Sequence, residues 1–180
     1  MENRPDNYRV NKYIAGTIKG KGQKPIIVNG MPDHIHAFVG LKPVMALSDL
    51  VRDIKNNASN FINDHKLVKG KFAWQEGYGG FSYSHSQIKK VYDYILNQEK
   101  NHKTKTFKQE YLDFLKSFEV EYDEKYLFVR GTPMENGMIN YGFYLCHSAS
   151  GGFNLTSLFL TIIITPLRGF KKNNWTGYME

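Results

Sequence analysis

The sequence predicts an α+β sandwich, in which helices pack on one antiparallel sheet. Two short β-type runs flank a turn signal, and several longer segments repeat apolar residues at helical spacing. Their order along the chain is helix, strand, strand, helix, strand, helix, and a further helix follows. That order is typical of a single sheet with helices packed against it.

The first predicted elements are a helix and a strand pair. The helix lies within NYRVNKYIAGTIKGKGQK (7–24) and is predicted to end near Gly20 and Gly22, since glycine is common at helix ends. Its apolar residues recur at helical spacing: Val10, Tyr13, Ile14 and Ile18. PIIVNGMPD (25–33) is predicted to be a short strand and a turn. HIHAFVGL (34–41) alternates and is rich in β-branched and aromatic residues, so it is predicted to pair with that strand.

The remaining predicted elements are three helices and one strand. LSDLVRDIKNNASNFINDHK (47–66) is strongly amphipathic, with Ser48 as the expected N-cap. KFAWQEGYGGFSYS (71–84) is predicted to be a strand with a glycine-broken turn. SHSQIKKVYDYILNQEKNHK (84–103) and TFKQEYLDFLKSFEV (106–120) are predicted helices, the last with Thr106 and Gln109 at capping-box spacing.

Composition narrows the class of protein. The chain has 180 residues, enough for one domain with a core, and its 24 basic and 17 acidic residues give a charge of +7, which favours an anionic partner. Cys146 is the single cysteine, so an intramolecular disulfide is excluded. The longest apolar stretch, 155–165, is too short to span a bilayer, and no signal peptide is evident. We expect a soluble, cytoplasmic protein that makes no membrane contact.

The basic character is concentrated in the first 130 residues. Residues 1–130 contain 21 basic and 15 acidic side chains, whereas residues 131–180 contain 3 and 2. The second segment lacks helical periodicity and mixes Gly-rich stretches with one β-branched run. We therefore predict a functional domain over 1–130 and an atypical tail over 131–180, to which the sequence assigns no fold.

Two histidines one residue apart form the first candidate site. His34 and His36, in GMPDHIHAFVG, would point to the same face of a strand. Imidazole binds several divalent metals, and two imidazoles need at least one further ligand. Spacing alone leaves two interpretations open, a metal site and ordinary hydrogen-bonded histidines. The sequence has no C-x-x-C or H-E-x-x-H motif, so neither a zinc finger nor a zinc protease is supported.

The helix predicted over 84–103 carries the second candidate site. One stripe of this helix is predicted to face the core: Ile88, Val91, Tyr92 and Ile95. Tyr94 lies about 110° from the centre of that stripe, so it points away from the core. Gln98 stands beside Tyr94 one turn later, and His102 continues the same edge. A solvated polar face would have the same pattern.

Taken together, the two sites suggest one chemistry. A phenol with a pKa of about 10 is a poor nucleophile at neutral pH. A divalent cation helps such a nucleophile by polarising the electrophile that it attacks. Two histidines and a glutamine oxygen can hold that cation and leave positions open for a phosphate. The reaction that fits is transesterification at a phosphodiester.

These segments also resemble a known family, the single-tyrosine HUH transposases of the IS200/IS605 insertion sequences. The resemblance covers about residues 8–128. It is specific, because the histidine pair, the WQEGYG stretch and the Y-I-x-N-Q helix occur in the family's order.

The resemblance implies a fold, an activity and the roles of four residues. It implies a ferredoxin-like or RRM-like sandwich and a dimer with composite active sites, acting on single-stranded DNA with hairpins near the ends of the element. His34 and His36 match the pair that binds Mg²⁺ or Mn²⁺, and Gln98 matches the third ligand. Tyr94 matches the nucleophile that becomes linked to the 5′ phosphate and leaves a 3′ hydroxyl. His102 is expected to lie next to these ligands without binding the metal itself.

The chain departs from the family at its start. Relatives begin with a strand before the first helix, and this chain begins at or inside that helix. The sheet is therefore expected to lack its first strand, near its centre, and to expose unpaired backbone groups and apolar surface. This loss would lower the stability of the fold.

Contacts with DNA and the choice of function stay open at the level of sequence. Arg52, Lys55, Lys89 and Lys90 are candidates for neutralising phosphates.

Three functions are compatible with the sequence. An active transposase or domesticated nickase is the first possibility. A truncated remnant that binds hairpin DNA without cleaving it is the second. An unrelated metal-dependent hydrolase, which would use the histidines but not Tyr94, is the third.

Overall fold

A computed structural model of the chain describes residues 6–75, 77–122 and 158–164. A helix and a β-hairpin lead into the longest helix. Their bounds are α1 Asp6–Gly20, β1 Lys24–Met31, β2 His34–Leu41 and α2 Leu47–Asp64. A third strand, three further helices and a last strand follow. Their bounds are β3 Gly79–Tyr83, α3 Ile88–Leu96, α4 Gln98–Asn101, α5 Phe107–Ser117 and β4 Leu158–Ile164, with a 3-10 turn, His85–Gln87, between β3 and α3.

The four strands form one sheet in the order β1-β2-β4-β3. Every neighbouring pair is antiparallel. Helices pack on this sheet, so the predicted α+β fold with an antiparallel sheet is confirmed. None of the helices among the described residues combines the length and apolarity needed to cross a membrane.

The centre of the sheet is occupied by β4, which comes from the predicted tail. Among the described residues α1 is the first element. The expected gap near the middle of the sheet is nevertheless filled, because β4 pairs with β2 on one side and with β3 on the other. The predicted boundary near residue 130 lies outside the described residues.

One face of the sheet holds the main apolar core. Apolar side chains of β2 and β4 meet α1 and α2 on this face. The contributing sheet residues are Ile35, Ala37, Val39, Leu41, Leu160, Ile162 and Ile164. The helices contribute residues at the predicted helical spacing, among them Val10, Ile14, Ile18, Leu50, Ile54 and Ile62. Because side chains alternate along a strand, the other residues of β2 and β4 lie on the opposite face of the sheet.

The opposite face carries both apolar and polar side chains. Phe38 of β2 packs there with Val91 and Ile95 of α3, and Phe81 of β3 packs with Leu115 of α5. The histidines of β2 lie on this same face, since they alternate with Ile35. This face therefore positions the candidate site.

Helix ends match the predictions only in part. Thr106 caps α5 by accepting a hydrogen bond from the backbone N–H of Gln109, which confirms the predicted start. Ser48 is not the N-cap of α2, because the helix already begins at Leu47 and Ala46 occupies the cap position. The helix predicted over 84–103 is interrupted at Asn97, which separates α3 from α4.

The predicted orientation of Tyr92 is wrong. Its side chain is 37% exposed, whereas Val91 and Ile95 of the same stripe are buried as predicted. The helical period locates a stripe but not its width, and Tyr92 lies at the solvent edge of this one. Tyr94, on the other side of the helix, points instead toward α5.

Gly30 fixes the approach of β1 to the histidine strand. A Cβ at this position would lie 2.3 Å from the backbone oxygen of His34 and 2.7 Å from the Cα of Ile35. Both are backbone atoms, so no change of side-chain rotamer relieves the clash. Gly30→Ala is expected to lower the free energy of unfolding by about 2 kcal/mol, measured by urea denaturation.

Gly16 provides the matched control. It lies inside α1, and a Cβ there would meet no atom within 4 Å. Gly16→Ala is expected to leave stability unchanged or raise it by up to about 1 kcal/mol, because alanine is the better helix former. Equal urea midpoints for Gly30→Ala and the unmodified chain would contradict the proposed close approach.

Candidate active site

The two histidines of β2 are buried side by side. Neither His34 nor His36 exposes any side-chain surface, and their ring centroids lie 5.0 Å apart. Ile35, between them, belongs to the core on the opposite face of the sheet. The strand therefore presents two imidazoles to one position, as its alternation predicts.

His34 is held in a defined orientation by its neighbour. Its Nδ1 lies 2.8 Å from Oδ1 of Asp33, and its Nε2 lies 3.1 Å from Oε1 of Gln98. Burial alone would raise the pKa of Asp33, but the hydrogen bond from His34 and the nearby positive charges together lower that pKa. A carboxylate at Nδ1 fixes the tautomer with Nδ1 protonated. The lone pair of Nε2 and the oxygen of Gln98 are then two acceptors that face each other, a contact that a cation bound to both would stabilise.

His36 has no hydrogen-bond partner for either ring nitrogen among the described residues. Its Nε2 lies 3.6 Å from Oε1 of Glu110, which is too long for a hydrogen bond. Burial lowers the pKa of His36 to about 4. The ring is therefore neutral near pH 7, which is the form that binds metals. A buried imidazole without a partner is costly unless a ligand completes it.

Glu110 of α5 joins this cluster, although the sequence did not predict it as a site residue. Its side chain is 2% exposed, and ligand atoms of His34, His36 and Glu110 all lie within 4.8 Å of one another. Burial would raise the pKa of Glu110, but the hydrogen bond from His102 and the nearby imidazole of His36 hold that pKa below its ordinary value. A signal was present, because this acid lies three residues after Phe107 and four before Phe114, on an aromatic helix face.

Tyr94 reaches the same cluster from α3. Its hydroxyl donates a hydrogen bond to Oε1 of Glu110, and its ring centroid lies 6.5 Å from that of His36. Burial and the hydrogen bond to the carboxylate both raise the pKa of Tyr94 above its ordinary value. The hydroxyl is therefore protonated at neutral pH, so attack by its oxygen requires removal of the proton.

Gln98 and His102 link the helices to the histidines. Gln98 is fully buried, and its Nε2 donates a 3.0 Å hydrogen bond to Oε1 of Glu110. His102 Nε2 lies 2.9 Å from Oε1 of Gln98 and 3.0 Å from Oε2 of Glu110. Burial would lower the pKa of His102, but the hydrogen bond to Glu110 raises it. The helix edge that carries Tyr94, Gln98 and His102 thus lines the cluster and is not a solvated face.

The side chains present fit a divalent metal. The cluster combines two imidazoles with a carboxylate and an amide oxygen, a donor set that suits Mn²⁺ and related ions. The unpartnered nitrogens of His36 and the facing acceptors of His34 and Gln98 are the structural observations in favour. A buried group of His34, His36 and Glu110 can therefore hold a metal ion.

Comparison with known proteins identifies the family. The family model described as Transposase IS200 like matches residues 2–98. The chain belongs to the IS200-like transposase family. No curated protein matches the chain, and no solved structure matches it. The family supports a transposase function, with DNA as the molecule acted on.

The region matched to the transposase family contains only part of the cluster. It includes His34, His36, Tyr94 and Gln98, and it ends before Glu110 and β4. The residues expected from the resemblance are therefore brought together by the fold. The carboxylate that touches all of them comes from outside the matched region.

The basic residues predicted to contact DNA lie mostly in contacts within the transposase chain. Arg52 Nη1 lies 2.7 Å from Asp49, and Lys89 Nζ lies 2.6 Å from Asp93. Lys55 donates to the backbone oxygens of Gln75 and Gly77. Lys90 is exposed on α3. Exposed ion pairs are weak enough for a phosphate to displace them, so the four contacts stay predictions.

Proposed function

We propose that this transposase cleaves and rejoins single-stranded DNA at hairpins near the ends of an element, through a 5′-phosphotyrosine formed on Tyr94. One observation carries the proposal. The hydroxyl of Tyr94, the paired imidazoles of His34 and His36 and the carboxylate of Glu110 converge in one buried cluster. Buried titratable groups of this kind are rare in an apolar core and cluster at functional sites.

The cofactor proposed is Mg²⁺ or Mn²⁺. His34 and His36 would hold the ion, with the oxygen of Gln98 or the carboxylate of Glu110 completing the set. When bound, such an ion polarises the scissile phosphate and stabilises the charge that develops on its oxygens. His102 would keep Gln98 and Glu110 in place through its two contacts.

The chain's own residues account for the covalent step. The oxygen of Tyr94 attacks the phosphorus, the bond from phosphorus to the 3′ oxygen breaks, and the DNA is left with a free 3′ hydroxyl. Glu110 is the acceptor in contact with the hydroxyl proton of Tyr94. The 3′ oxygen takes up a proton from water. Attack by a 3′ hydroxyl on the phosphotyrosine reverses these bonds and rejoins the strand.

We further propose that DNA binds to the basic surface of the chain, and that two copies of the chain form the active dimer. The net charge of +7 supports an acidic partner such as DNA, and Lys90 and the ion-paired Arg52 and Lys89 offer positive charge on the surface. Within one chain Tyr94 already lies beside His36. A composite site would replace this contact by the same contact between partners. The protein would then act in the cytoplasm, on the nucleoid.

The test is formation of a covalent protein–DNA adduct. The full chain is incubated with hairpin-bearing single-stranded oligonucleotides and Mg²⁺ or Mn²⁺, and adducts are resolved on denaturing gels. The unmodified chain is expected to form the adduct, and Tyr94→Phe is expected to lose it completely while still binding the hairpin. Tyr92→Phe is the matched control, because Tyr92 is an exposed tyrosine on the same helix. It is expected to retain the adduct.

Two outcomes would contradict the proposal in different ways. Hairpin binding by the unmodified chain without any adduct would indicate a DNA-binding remnant. Metal-dependent cleavage that survives Tyr94→Phe would indicate a hydrolase that uses the histidines alone.

A further inference from the structure

The last strand of the chain is inserted between two strands that precede it. All seven residues of β4 pair with β2, from Leu41↔Leu158 to Ile35↔Ile164. Five of them also pair with β3, from Gly79↔Ile163 to Tyr83↔Phe159. In the order of the described strands β2 and β3 are not neighbours of one another, and β4 joins them.

Both faces of this strand are buried. Leu160, Ile162 and Ile164 enter the core beneath α1 and α2, and each is at most 2% exposed. On the other face Ile163 contacts the cluster around Phe81. The strand thus lies between two layers of helices and two strands, as a peptide ligand lies in a groove.

Without β4, the inner edges of β2 and β3 would present unpaired N–H and C=O groups next to apolar surface. Unpaired buried backbone groups are costly, and an added strand satisfies them all at once. This is the physical basis of peptide recognition by strand addition, in which alternate side-chain pockets provide specificity. The alternating pockets here fit β-branched and leucine side chains.

We propose that the gap between β2 and β3 is a strand-binding site whose ligand is the segment Leu158–Ile164, and that it holds this segment without a covalent link to the rest of the chain. The β4 segment lies outside the family match over residues 2–98. It borders the histidine strand directly, since His36 pairs with Ile163. The segment therefore acts as a bound partner that completes the fold, independently of metal or DNA.

The experiment starts from the full, folded chain. A protease recognition sequence is inserted between Gly151 and Gly152, in the Gly-rich stretch SASGGF, and the chain is cut after folding. The two fragments are expected to elute together in gel filtration, to keep the thermal transition of the uncut chain and to separate only in denaturant. A labelled synthetic peptide of residues 155–172, added in excess, is then expected to replace the bound fragment.

A matched peptide tests specificity. The same peptide carrying Ile162→Asp is expected to compete at least about 100-fold more weakly, because the substitution buries a charge. Loss of the cut fragment, with or without aggregation of the remainder, would overturn the proposal. So would a retained fragment that the labelled peptide never replaces even near the unfolding midpoint, or equal competition by the two peptides.

Discussion

Replacing His36 by alanine is expected to weaken the binding of Mn²⁺ to this transposase at least about 100-fold. His36 offers two buried ring nitrogens with no other partner among the described residues, so its side chain has the clearest requirement for a metal. Substitution of groups that merely support a metal ligand costs about 10- to 100-fold in affinity. Loss of a ligand should cost at least about 100-fold. Isothermal titration with Mn²⁺ measures the effect directly.

The same titration decides which oxygen completes the site. Glu110→Gln removes a negative charge and keeps the size of the side chain, whereas Gln98→Ala removes the amide oxygen that lies 3.1 Å from His34. The larger loss of affinity identifies the third ligand. Since Glu110 brings a charge to a buried cation, we expect the larger loss for Glu110→Gln.

His65 provides the histidine control for the metal experiment. It is exposed and lies just after α2, on the side of the sheet away from the cluster. His65→Ala is expected to leave Mn²⁺ affinity unchanged. Circular dichroism of each variant shows whether the fold is kept. Unchanged Mn²⁺ affinity in a folded His36→Ala variant would exclude His36 as a ligand.

Replacing Ile162 by aspartate is expected to unfold the protein. Ile162 is completely buried in β4, and it contributes to the core formed with α1 and α2. A carboxylate at this position has no partner, so the cost should exceed about 4 kcal/mol. That is comparable with the whole stability of many domains, about 5–15 kcal/mol.

Thermal and urea unfolding measure this second effect. Ile162→Ala should give a smaller loss, about 2–5 kcal/mol, because it leaves a cavity but no charge. Val44→Asp is the matched control, since Val44 is 88% exposed and an aspartate there remains in water. Near-normal unfolding of Ile162→Asp would mean that β4 is not a structural member of the sheet in solution.

Sequence patterns within single segments were enough to predict much of the fold. The strand pair around Gly30, the amphipathic α2 and the Thr106 cap were all predicted, because each depends on residues close together in sequence. The family was also predicted from motif order, and the family match confirms it. Helix ends were less accurate, since Ala46 caps α2 in place of Ser48.

The two errors at the candidate site, which concern Tyr92 and Glu110, share one cause. Periodicity showed that one side of α3 is apolar, but not that α5 would pack beside Tyr94 and leave Tyr92 in solvent. Glu110 was overlooked for the same reason, because its partners lie on other elements, His34 and His36 on β2 and Tyr94 on α3. Neither relation is encoded within a single element.

The sequence by itself determined that His34 and His36 share a face of a strand, that Tyr94 and Gln98 share an edge of a helix, and to which family the chain belongs. Only the tertiary structure decided that Glu110 joins them and that β4 completes the sheet. The physical reason is that side-chain direction within an element follows from backbone geometry. Pairing between distant segments follows from the burial and hydrogen bonding of the whole chain.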